Sequence, residues 1–295
     1  MSYCVYVPLL VCGLLAAASR PVAARVSPAA GAWMLTGAGL AGAVTSAWAS
    51  LLLAATLLDD VPWLPDRLRL LDPVPAPVAV AAAAVLGGGG YRLARSSWLA
   101  AATVRRLRRL CRAATPAGNL VVADWDRPQA VAVPGRLPRR SGYILVTAGM
   151  LRVLDHSERR AMLAHEQAHL DGGHHWLCVL AGAAAAVNPL LVPLRSAVRY
   201  LVERAADETA AAAVASRRLT ARSLARAALA GHGRPAGPPA FDQHCVLRRV
   251  EALRRHPPRQ RALPALLLLA VAGAGLLSTA DATSDFIRLA LRQFH

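Results

Sequence analysis

The sequence predicts a mainly α-helical membrane protein with about four transmembrane helices and an α+β cytoplasmic domain inserted before the last of them. Three observations carry this. The 295 residues are 55% hydrophobic and only 17% charged, with a mean hydropathy of +0.37, too apolar a balance for an ordinary water-soluble domain. Four uncharged stretches, at 3–18, within 26–58, at 73–91 and at 262–280, come near or meet the roughly 17–25 apolar residues that a helix needs to cross a bilayer. Between the third and the fourth, short β-like runs give way to helical patterns.

Taken in order, residues 1–91 form an N-terminal membrane region with three spans. The first run has no basic residue ahead of it and is expected to be a retained span, not a cleaved leader. The second interval is longer than one crossing requires, and Gly37, Gly39 and Gly42 suit it to close helix packing. Residues 92–261 form the cytoplasmic domain, 262–280 the last span and 281–295 a short extracytoplasmic tail.

Arginine sets the orientation, because short cytoplasmic flanks collect basic residues. The chain has no lysine. The loop after the second span holds Asp59, Asp60, Asp66 and Asp72 against Arg67 and Arg69, whereas Arg92, Arg95, Arg105, Arg106, Arg108, Arg109 and Arg112 follow the third. The acidic loop and both termini are therefore expected outside the cytoplasm, in a multi-pass cell-membrane protein.

Within the cytoplasmic part, 120–123, 129–133 and 143–147 are strand-like and are separated by Asp126-Arg127-Pro128 and by 134–138, both turn-forming. Asp155 with Glu158 three residues later makes a capping box that should start a helix. The run 176–194 is apolar but contains Asn188, Pro189 and Pro193 and has arginines on both sides. A full crossing there breaks the charge rule, so a re-entrant or buried hydrophobic hairpin is expected. The stretch 231–239 is a glycine- and proline-rich linker, and 242–261 a basic helix resting on the inner membrane surface.

The helix begun at Asp155 contains His165-Glu166-Gln167-Ala168-His169. Positions i and i+4 share a helix face, so both imidazoles can hold one zinc ion while Glu166 serves as general base. A zinc site needs a third protein ligand, and two residues compete. Glu203 lies in a helical stretch with Asp207 one turn later, a ligand beside a residue that could orient a ligand histidine. His175 completes the spelling HExxHxxGxxH, whose usual supporting methionine turn is missing here, since Met1, Met34, Met150 and Met162 all precede it. Glu203 is thus favoured and His175 is the alternative metal ligand.

Tyr143–Thr147, Ala148-Gly149-Met150-Leu151, Glu158, the HExxH run, Glu203 and Asp207 together resemble the BlaR/MecR-type integral-membrane zinc peptidases, which are gluzincins. The resemblance implies a zincin-like peptidase domain with one Zn2+ per chain on His165, His169 and Glu203. It further implies Glu166 as the catalytic residue, cleavage of a protein or peptide substrate at the cytoplasmic face, and a transcriptional repressor as that substrate. No counterpart of the C-terminal penicillin-binding sensor of those relatives is expected. HtpX and CAAX-protease-type membrane quality-control peptidases share the two motifs and are the alternative family; they usually place paired spans between the motifs, for which 176–194 is short. In such proteases an edge strand commonly pairs with the substrate backbone, which points to 143–147 or the neighbouring strand.

Other features carry less. The five scattered cysteines show no CxxC spacing, so neither a disulfide framework nor a thiolate site is expected. The arginines of 105–112 directly follow a span, where anionic lipid accounts for them, and no direct nucleic-acid partner is expected. Residues 87–90, four glycines, lack the lysine of a phosphate loop and are expected to be a flexible membrane exit. A non-catalytic signalling scaffold with a protease-like fold is the rival class of function, and the presence of all four site residues weighs against it.

Overall fold

The computed structural model describes residues 3–57, 74–113, 118–135, 142–231, 239–255 and 262–292. The acidic loop, most of the 231–239 linker and the last three residues lie outside these. Ten helices and three strands are described: α1 Val7–Ala23, α2 Pro28–Ala55, α3 Ala76–Ala113, β1 Leu120–Ala123, β2 Ala130–Val133, β3 Tyr143–Thr147, α4 Ala148–Val153, α5 His156–Asp171, α6 His174–Val187, α7 Val192–Ala213, α8 Arg217–Gly231, α9 Pro239–Arg254 and α10 Ala262–Arg292.

Three helical segments, Cys4–Ala23, Pro28–Ala55 and Ala76–Arg112, are long and apolar enough to cross a membrane. The first begins with a single 3-10 turn, Tyr3–Tyr6, ahead of α1. α2 is the centre of the bundle and packs on α1, α3, α6, α7 and α10. Small residues make this possible, since side chains of neighbouring helices lie where a Cβ on α2 would stand: Leu201 at Gly31, Leu194 at Gly39, and Cys12 and Leu15 at Gly42. Where lipid is as apolar as leucine, such close van der Waals packing is what holds helices together.

Two helices run past their expected ends. α3 continues without a break through the four glycines and the arginines to Ala113, so the expected boundary at residue 91 falls inside a helix. Gly89 serves close approach in place of a flexible exit: a Cβ there would stand 2.8 Å from the Val187 carbonyl oxygen. α10 likewise continues beyond Ala280 to Arg292, where Ala282 packs with Val5, Leu52 and Leu53 and the Trp48 indole donates to Thr283 Oγ1 at 2.8 Å.

Residues 176–194, expected to form a hairpin by themselves, hold most of α6, a break and only the first residues of α7, which runs on to Ala213. α6 ends at Val187, Asn188 breaks the helix, Pro189–Leu191 makes one 3-10 turn, and α7 returns. Leu177, Ala181 and Ala184 of α6, Leu191 of the turn, and Leu194 and Leu201 of α7 are buried against Val11, Leu15, Val26 and Leu35 of the bundle.

The three strands form one sheet in the order β1-β3-β2, with β1 parallel and β2 antiparallel to β3. β3 is therefore central and has no free edge. Alternation sorts the side chains of β2: Val131 and Val133 pack towards Cys111 and Val121, whereas Ala130 packs with Met150 and Met162. Strand β2 is thus an edge that runs beside α5.

Candidate metal centre and cleft

α5 starts at the capping box read from the sequence: Glu158 N donates to Asp155 Oδ1 at 2.9 Å and Asp155 N to Glu158 Oε2 at 3.0 Å. The fully buried Glu158 also accepts from Arg222 Nε at 2.7 Å and Arg226 Nη1 at 2.6 Å. Burial opposes its ionisation, but the Asp155 amide and these two guanidinium groups hold its carboxyl below the usual value. Helix α8 is thereby pinned to the start of α5, which fixes the rotation of α5 and the direction of its histidines.

Mid-helix, His165 and His169 turn towards α7, where Glu203 meets them. His165 Nε2 lies 3.1 Å from His169 Nε2, and Glu203 Oε2 and Oε1 lie 3.6 Å from His165 Nε2 and 3.7 Å from His169 Nε2. Among the described residues these three are the one group of histidine, cysteine and acidic side chains whose donor atoms converge in this way. Two ligands about 2.0–2.1 Å from one tetrahedral zinc ion stand roughly 3.3 Å apart, so the two-nitrogen, one-oxygen set present here fits that ion. His175 does not join them; its ring packs edge-on against Trp176 at 5.6 Å.

Each histidine is held from behind. His165 Nδ1 lies 3.1 Å from Asp207 Oδ1, and Asp207 is buried one helical turn beyond Glu203. His169 Nδ1 lies 2.9 Å from Nδ1 of His174, a buried residue at the first position of α6. Gly173, at φ +59°, supplies the left-handed turn that brings the His174 ring back onto His169. His175 was expected as an alternative metal ligand; its neighbour His174 instead meets His169 on the side away from the ligand group.

A second residue was missed. Arg249 of α9 is 7% exposed, donates to both carboxylate oxygens of Asp207 at 2.7 and 2.8 Å, and stands 2.8 Å from Glu203 Oε2. α9 was expected on the membrane surface. Instead Leu253 and Val250 pack against Ala211 of α7 and Ala221 and Leu224 of α8, and the Arg248 guanidinium lies 4.4 Å over the Tyr200 ring. The basic composition of α9 concealed one arginine with an interior role.

The electrostatics follow from these contacts. Burial alone would lower the pKa of His165, but Asp207 and Glu203 raise it to about 9. For His169 burial outweighs the charge of Glu203 and lowers its pKa to about 4. Glu203 and Asp207 stay ionised well below the usual carboxylate range despite burial: hydrogen bonding to His165 and the charge of Arg249 lower Glu203, and hydrogen bonds from Arg249 and His165 lower Asp207. Glu166 moves the other way, raised chiefly by burial. A carboxylate poised to take up a proton thus lies next to carboxylates that are not.

His165, Glu166, His169, His174 and Glu203 line a cleft of roughly 870 Å³. Its walls are β2 at Ala130 and Ala132 with Pro134 just beyond it, the α5 face bearing Glu166, and the start of α6; the Ala132 amide donates to Glu166. Because β3 is paired on both sides, β2 is the strand that could take up an extended peptide, which corrects the first of the two strands expected.

Residues 95–186 match the model of peptidase family M48, a stretch that holds the HExxH helix but stops short of Glu203. Two curated relatives carry the name Protease HtpX homolog. The one from Nitrosomonas eutropha is 30% identical over 145 residues, 43% of this chain and 49% of the relative; the one from Nitrosomonas europaea is 30% identical over 102 residues, 35% and 34% of the respective chains. The chain therefore spans from about a third to half the length of these relatives. No solved structure matches.

Proposed function

We propose that this chain is a membrane-embedded zinc metalloendopeptidase of the M48, HtpX-like kind, which hydrolyses peptide bonds of a protein substrate at the cytoplasmic face. The observation that carries it is the convergence of His165, His169 and Glu203 on one point, with Glu166 on the same cleft. His165, His169 and Glu203 hold the ion, Asp207 and His174 orient the two imidazoles, and His175 takes no part. Zinc, when bound, supplies the Lewis acid that makes water acidic and a carbonyl electrophilic.

The chain's own residues do the rest. Glu166, with its pKa raised by burial, takes a proton from the attacking water on a carboxylate oxygen and returns it to the leaving amine nitrogen. The free edge of β2 holds the substrate in extended form. Arg249 keeps Glu203 and Asp207 ionised and in place.

The HtpX-like reading displaces the BlaR-type one because the matched relatives bear that name. The antiparallel α6–α7 pair between the two motifs also suits it, although α6 has only 14 residues. A repressor as substrate loses its support with that displacement. In the bilayer, α1, α2, α3 and α10 are the four spans and the cleft faces the cytoplasm. The test is metal-dependent cleavage of an unfolded protein by the full chain in detergent: a chelator should abolish it and zinc should restore it. Cleavage indifferent to chelation would overturn the proposal.

A further inference from the structure

The α6–α7 hairpin has two unlike ends. Its open end holds His174 and Glu203 of the metal centre. Its closed end presents apolar side chains outward, Leu190 at 50% and Val192 at 47% exposure, flanked by the exposed Pro189 and Pro193. Further along α7 towards the site, the exposed residues become Arg195 and Arg199.

Contacts with α2 give the distance between these bands. Leu194 meets Gly39, and the Asn188 side chain donates to Ser46 Oγ at 3.1 Å. Seven residues of α2 separate the two levels, about 10 Å of helix. Arginines of other helices lie on the same side of the tip: Arg92 and Arg95 follow Gly89, which touches Val187 at the tip. An apolar tip about 10 Å beyond a cationic band has the dimensions of an element inserted about 5–10 Å past anionic headgroups into the acyl boundary.

The backbone of the tip is prepared for lipid. Irregular backbone at membrane depth is tolerated where protein satisfies its polar groups, and four contacts do so at this turn. Asn188 N donates to Ala184 O and Leu191 N to Asn188 O. Asn188 Oδ1 accepts from Leu190 N at 3.0 Å, and Arg92 Nε donates to Ala186 O at 2.9 Å.

We infer that the tip at Pro189–Leu191 with Val192 is a foot inserted into an anionic bilayer from the side of the metal centre, with Arg195 and Arg199 at the lipid phosphates. Both helices of the foot end on the metal centre, so it sets the height of the cleft above the membrane. The inference rests on the bilayer placement proposed above and not on catalysis.

Nitroxide labels on a genetically encoded ketone side chain, one at a time at Leu190, Val192, Val44 and Glu251, test it in the full chain reconstituted into phosphatidylglycerol-rich vesicles. Val44, 65% exposed on α2, reports the lipid face of a span, and the exposed Glu251 on α9 reports water. The expected result is that collisions with oxygen relative to a water-soluble nickel chelate are several-fold higher at Leu190 and Val192 than at Glu251, as at Val44. Nickel access at Leu190 and Val192 with Val44 in lipid overturns the foot alone. Exclusion of both reagents also overturns it, since a protein partner or a second copy then covers the tip. Nickel access at Val44 overturns the bilayer placement and the foot with it.

Discussion

The guanidinium of Arg249 grips both carboxylate oxygens of Asp207, Nη2 to Oδ1 at 2.7 Å and Nε to Oδ2 at 2.8 Å, while the same Oδ1 faces His165 Nδ1 at 3.1 Å. Helix α9 is thus joined to a candidate zinc ligand through one buried aspartate. Replacing Arg249 by methionine leaves Asp207 buried with only His165 as a partner. Removing one member of a buried pair typically costs about 3–5 kcal/mol, and the lower end is expected because His165 remains. Denaturation of Arg249→Met in mild detergent should show a loss of about 3 kcal/mol, together with weaker zinc retention.

His174 should act through the ring of His169. Groups that orient a ligand histidine are typically worth about 10–100-fold in metal affinity, so His174→Leu should lose zinc to a competing chelator within that range. His174→Asn, which keeps a hydrogen-bonding group, should recover part of the loss. Equal retention by both variants would show that the ring only fills space.

Metal binding should release close to one proton at neutral pH. His165, held at about 9 by Asp207 and Glu203 without metal, must give up its Nε2 proton to bind zinc, whereas His169, at about 4, is already neutral. Zinc affinity should therefore rise with pH from about 6 up to about 9 and then level off. The same raised pKa makes the His165–Asp207 contact stabilise the metal-free chain fully below about 6.5, the unperturbed histidine value, and progressively less as pH climbs through about 9. Titration calorimetry in buffers of different ionisation enthalpy counts the proton directly.

The choice of third ligand has its own test. Glu203→Ala should purify without stoichiometric zinc, and His175→Ala should keep it. The reverse pattern would restore the ligand set in which His175 completes the site.

Much of this was legible because the signals are local. The capping box of α5, the i and i+4 histidines, the three strands and the proline-broken hairpin each lie within one short window of sequence. What was hidden depends on tertiary context. Arg249 lies 42 residues beyond Asp207 in a helix whose composition suits a membrane surface, and only the packing of α9 on α7 and α8 turns it inward. His174 and His175 are adjacent and chemically alike, and the left-handed Gly173 decides which reaches His169. The unbroken α3 was obscured by four glycines, which weaken a helix in isolation; one of them, Gly89, here lies against the hairpin tip.

The central claim is that Glu166 moves protons for a zinc-bound site in this fold. Glu166→Gln keeps the size of the side chain and removes its basicity, so the most direct measurement compares zinc content and cleavage of an unfolded protein substrate by wild type and this variant in detergent. The account predicts one zinc per chain in both proteins and cleavage by the wild type alone. Cleavage that persists in zinc-loaded Glu166→Gln would contradict it.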